Sequence, residues 1–152
     1  MRSTLIIGAL IALATGVAIG VQSTISSRVG SLIGGVRTGL LTNLVGGVIA
    51  GAIVLILVFI QGRSSWQLSS PAVIMLVVSG SLGIFIITGV SFSLQRTGVA
   101  AGLATIILGQ LLISGIVDAR GIGGVEPIPL TFQRVVGFAA MILAVYLLMP
   151  KE

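Results

Sequence analysis

Gln110, Ser114 and Asp118 stand four residues apart in an otherwise apolar stretch, GVAAGLATIILGQLLISGIVDARG, residues 98–121. An amide, a hydroxyl and a carboxylate at i, i+4 and i+8 share one helical face, each turned about 40° from the last. Unsatisfied polar groups in hydrocarbon cost several kcal/mol, so this face must look into a protein interior or a watery cavity. The chemistry it offers is recognition of a solute along a path. Bond-making chemistry finds little support: the chain has no histidine and no cysteine, which excludes zinc sites, thiol catalysis, disulfides and imidazole acid–base work. No metal or other cofactor is expected.

Two further polar residues sit in apolar surroundings, Gln22 and Asn43. Gln22 either bonds a neighbouring helix or faces a cavity. Asn43 reads as an interhelical hydrogen-bonding residue, with cavity lining as the alternative. Asp118 also has a plainer reading, a helix-end carboxylate paired with Arg120 or Arg134. With Arg134 it could form a clasp or gate.

The elements that position these residues follow from composition. The chain has 152 residues, 56% hydrophobic and 7% charged, whereas a soluble domain carries roughly a quarter charged residues. It is expected to be an all-α polytopic membrane protein. Its formal charge of +5 does not indicate a nucleic-acid partner, because the eight basic residues are scattered singly at the ends of apolar runs. The start, Met1-Arg2 and an apolar run, mimics a secretory signal, but the run is long and further spans follow.

The apolar runs predict five transmembrane helices in one integral membrane domain, 1–152, at about 4–27, 38–60, 71–94, 98–118 and 131–149. Gly8, Gly16 and Gly20 in the first, Gly47 and Gly51 in the second, and Gly102 and Gly109 in the fourth are expected to pack helices closely. Arg28 to Arg37 reads as a Gly-rich connection, and Gln61 to Ser70 as a polar loop anchored at the interface by Trp66. Thr88, Ser91 and Gln95 line one side of the third helix near its end, where single hydroxyls usually bond their own backbone.

Orientation is undecided by charge. One side would hold Arg2, Arg63, Arg120 and Arg134, the other Arg28, Arg37, Arg96 and Lys151, four against four. The positive-inside rule needs an imbalance. The expectation is dual topology, with two copies pairing as an antiparallel homodimer of ten helices and so rebuilding the inverted repeat on which many transporters depend. The other reading is that a weak bias or a neighbouring protein sets one orientation.

The segment LGQLLISGIVDARGIGG, followed by Pro129, Arg134 and Gly137, resembles the YdcZ-like family of small bacterial membrane proteins. GVAIGVQSTISSRVG, with Gln22, looks like that family's first helix, and Thr38 to Gly51 like its glycine-rich second. The resemblance covers nearly the whole chain. It implies a five-helix unit, half of a ten-helix fold of the drug/metabolite transporter superfamily, completed by dimerisation in a bacterial or archaeal inner membrane.

The function expected is a secondary transporter moving a small metabolite or amphipathic compound by alternating access. Gln110 and Ser114 would contact the substrate, with Gln22 and Asn43 as further partners. A proton-coupled exporter of cationic drugs fits less well, since the only acids are Asp118, Glu126 and Glu152 and none is near a midplane. The alternative class is a non-transporting scaffold or lipid-interacting dimer, in which the polar stripe is interhelical glue. A membrane enzyme would need a nucleophile and base or a metal cluster, for which the residues are lacking.

Overall fold

Long apolar runs broken only by glycine and short polar segments leave the backbone one way to satisfy its own hydrogen bonds in lipid, the helix. The computed structural model describes residues 2–122 and 126–151, and among these no strand occurs. Five α-helices follow one another: α1 (Arg2–Ile33), α2 (Gly35–Gln61), α3 (Ser70–Thr97), α4 (Val99–Arg120) and α5 (Phe132–Leu148). A short 3-10 turn, Arg63–Trp66, sits in the α2–α3 connection. Four helices are long and apolar enough to cross a membrane. The fifth, α5, is apolar and has 17 residues, about 25 Å at 1.5 Å per residue.

The helix ends differ from the expected ones most at α1. The stretch read as a connection, Arg28 to Arg37, is helical except for Gly34. Gly34 adopts φ 86°, ψ 148°, a conformation essentially confined to glycine. Its N–H donates to Gly30 O at 2.9 Å and its carbonyl accepts from Thr38 N at 3.1 Å. The chain therefore reverses at one residue without abandoning helical bonding on either side. At the junction of α3 and α4, Gly98 adopts φ 77°, ψ 163°, and its carbonyl accepts from Gly102 N at 3.0 Å.

The chain divides into two compact units, one up to Phe92 and one from Ser93. In the first, the buried side chains are polar: Ser23, Ser26, Thr38 and Ser91. Ser91 Oγ donates to Ser26 O at 3.1 Å, tying α3 to α1. Thr38 Oγ1 bonds Gly34 O one turn back, at 2.9 Å. Gly39 lets α3 approach α2: a Cβ there would lie 2.9 Å from Ile84 O. Away from this knot the large aliphatics face outward, Leu44 at 63% and Leu55 at 72% exposure. Outward-facing apolar residues in such number are what a lipid-immersed surface or a protein interface requires.

The second unit holds α4 and α5 as a hairpin, with the end of α3 against α4. Gly102 accommodates Leu94 and Thr97, each 2.8 Å from where its Cβ would stand. Gly115 accommodates the Phe138 ring of α5, 2.7 Å from such a Cβ.

Candidate functional site

The α4–α5 hairpin builds a cleft headed by a carboxylate and a guanidinium. α4 ends at Gly121 in a left-handed cap, and Thr131 opens α5 by accepting from Arg134 N at 3.4 Å. Those two ends place Asp118 and Arg134 side by side. Arg134 Nη2 donates to Asp118 Oδ2 at 2.5 Å. Arg134 Nη1 also donates to Ile128 O at 3.3 Å, while Ile128 N donates to Asp118 O at 2.9 Å. The two residues thus hold the return of the connection from both sides. Of the two readings for Asp118's partner, the bonded one is Arg134.

Behind the pair lies a cleft of about 330 Å³. It is lined by Leu111, Ser114, Gly115, Asp118 and, from α5, Arg134 and Phe138, together with Gly137 and Met141. Ser114 thus reaches the cleft, and Gln110 is not among its lining residues. The reason is the 40° turn per four residues: Gln110 and Asp118 are about 80° apart around α4. Gln110 is exposed and makes no side-chain hydrogen bond among the described residues.

A second groove, of about 420 Å³, lies between α1 and α2. Gln22, Ser26 and Thr42 are its polar members, among Ala18, Val21 and Ile25. Gln22 is likewise exposed without a side-chain hydrogen bond among the described residues. Asn43 is outside it: Nδ2 donates to Gly39 O at 2.8 Å within its own helix. Its Oδ1 rests against α3, 2.9 Å from where a Cβ on Gly83 would stand.

The profile of a membrane-protein family described as "Putative inner membrane exporter, YdcZ" matches residues 7–147. The chain belongs to the YdcZ family. No curated protein and no solved structure matches it. An inner membrane exporter family is no enzyme class, and several apolar helices in a multi-pass membrane protein accord with it.

In this YdcZ-family chain the residues picked out by sequence fall in separate places. Ser114, Asp118 and Arg134 share one cleft; Gln22 lines another groove; Asn43 and Gln110 line neither. Among the glycines expected to pack helices, Gly102 does so within the chain, while Gly8, Gly16, Gly20, Gly47, Gly51 and Gly109 border open space. The close approaches that sequence reasoning missed are at Gly83 and Gly115. Nothing in a glycine's local sequence tells which of many will face a ring or an amide. The Ser91–Ser26 bond was also missed, since a hydroxyl gives no long-range signal.

Proposed function

We propose that the protein is one half of a secondary transporter, moving a small metabolite or amphipathic compound by alternating access between two antiparallel copies. The observation that carries this reading is the pair of exposed, unbonded amides, Gln22 and Gln110, on helices otherwise clothed in aliphatic side chains. Each would cost several kcal/mol against lipid. Facing a solute path or a second copy removes that cost. The membership in a family described as an inner membrane exporter supports transport and the outward direction. The even charge count supports two orientations, and the open flanks of Gly8, Gly16, Gly20, Gly47 and Gly51 leave room for a partner's backbone. In this reading α5 spans with the rest, short helices being accommodated by local thinning of the bilayer. Gln110 and Ser114 contact the solute, Gln22 and Asn43 assist, and Asp118 with Arg134 acts as a clasp at the helix ends.

The test compares compounds released by cells expressing the wild type, the Gln110→Leu variant or neither. Wild-type cells should release at least one compound about tenfold faster than both others, the loss expected of an amide that bonds the solute. Equal release by all three, with the protein present in the membrane, sinks the transport reading and favours the scaffold.

A further inference from the structure

The α4–α5 cleft has a head of one chemistry and a body of another. At its head the Asp118–Arg134 pair is incompletely used. Asp118 Oδ1 accepts no hydrogen bond among the described residues, and two of the five guanidinium N–H donors are engaged. Both side chains are about one-third exposed, 33% for Asp118 and 32% for Arg134. An added ammonium could bond Oδ1 and an added anion the free N–H groups, with the original bridge intact. A ligand of one charge would be attracted by one partner and repelled by the other. A zwitterion pairs with both.

Apart from Ser114, the body of the cleft is apolar. Leu111 lies seven residues before Asp118 and Met141 seven after Arg134, so the walls run about 10 Å along both helices away from the charges. Gly137, flanked by open space, and the Phe138 ring form the α5 wall. The charged head stands at the end of a 22-residue helix. That helix is about 33 Å long, close to the thickness of the hydrocarbon core, so the head is level with lipid headgroups.

We infer that this cleft binds a zwitterionic phospholipid carrying a primary ammonium, of the phosphatidylethanolamine type. The phosphate meets Arg134, the ammonium meets Asp118 Oδ1, and the start of one acyl chain lies between Leu111 and Met141. A quaternary ammonium has no N–H to give Asp118, and an anionic headgroup leaves Asp118 facing its own charge. The selection is therefore ethanolamine over choline and over glycerol headgroups. The inference needs no transport activity, and Ser114 is the residue it shares with the solute path proposed above.

The full-length protein, purified in a neutral maltoside detergent, is titrated with phosphatidylethanolamine, phosphatidylcholine and phosphatidylglycerol, and bound lipid is counted by native mass spectrometry. The wild type should retain the ethanolamine lipid about tenfold better than the other two. Asp118→Asn should reverse the preference towards phosphatidylglycerol, because Arg134 is left uncompensated. Gly137→Leu fills the cleft without touching the pair, and should lose the lipid while unfolding in SDS as the wild type does. Equal retention of the three lipids by the wild type, or full retention by Gly137→Leu, overturns the inference. Displacement of the lipid by millimolar phenylalanine also overturns it and gives the cleft to a dissolved zwitterion.

Discussion

Asp118 serves three neighbours at once. Its carboxylate takes Arg134, and its backbone carbonyl takes the N–H groups of Gly121 and Ile128, at 3.3 and 2.9 Å. A one-third exposed ion pair is screened, so the side-chain bridge should contribute about 1 kcal/mol, the upper end for such pairs. A double-mutant cycle over Asp118→Asn and Arg134→Gln, read by SDS unfolding, should return a coupling of that size. A coupling near zero would mean that the backbone bonds alone hold the connection. This pair was half legible in the sequence, which offered Arg120 and Arg134 as partners. What separates them is the path of the connection between α4 and α5, which brings Arg134 back onto the end of α4. Gln110 shows the opposite case. Spacing placed it on a face with Ser114, and that inference is sound over one turn, but over two turns the helix carries it out of the cleft.

At the scale of elements, glycines that look alike in sequence do different work. A Cβ on Gly39 would stand 2.9 Å from the Ile84 carbonyl, a backbone atom that cannot swing away, while Gly47 on the same helix meets nothing within 4 Å. Gly39→Ala should therefore cost about 1–3 kcal/mol through forced separation of α2 and α3. Gly47→Ala should leave the stability of the chain unchanged or gain up to about 1 kcal/mol from helix propensity. SDS unfolding of the two variants checks both; equal losses would show that the α2–α3 approach is looser than described. The sequence predicted the helices well and their ends poorly. α1 was expected to stop near residue 27 because Arg28 to Arg37 reads as a Gly-rich connection. It continues to Ile33 because Ser23 and Ser26 are buried and Ser26 O accepts from Ser91 on α3. Composition reports where a helix leaves the apolar layer, which is a different place from where it ends.

For the whole molecule, the decisive quantity is orientation. Single cysteines at Ser65, in the α2–α3 connection, and Ser31, in the last turn of α1, both exposed, probe the two sides. Ser31 is better suited than Thr97, which is half-buried and packs on Gly102. Labelled from outside intact cells with an impermeant reagent, each site should react in about half the copies if the proposed dual topology holds. Reaction at one site alone would set a single orientation and remove the antiparallel pair.

The one-residue junction at Gly34 limits how α1 and α2 can move. A connection of several residues has slack, so one helix can slide or turn while its neighbour stays. A single glycine leaves two rotatable bonds. At this end α1 is leashed to α2. Sliding one partner lengthwise would tear bonds at the leash, whereas tilting about it would not. Motion of this pair should resemble the opening of tongs, small at Gly34 and wide at the far ends.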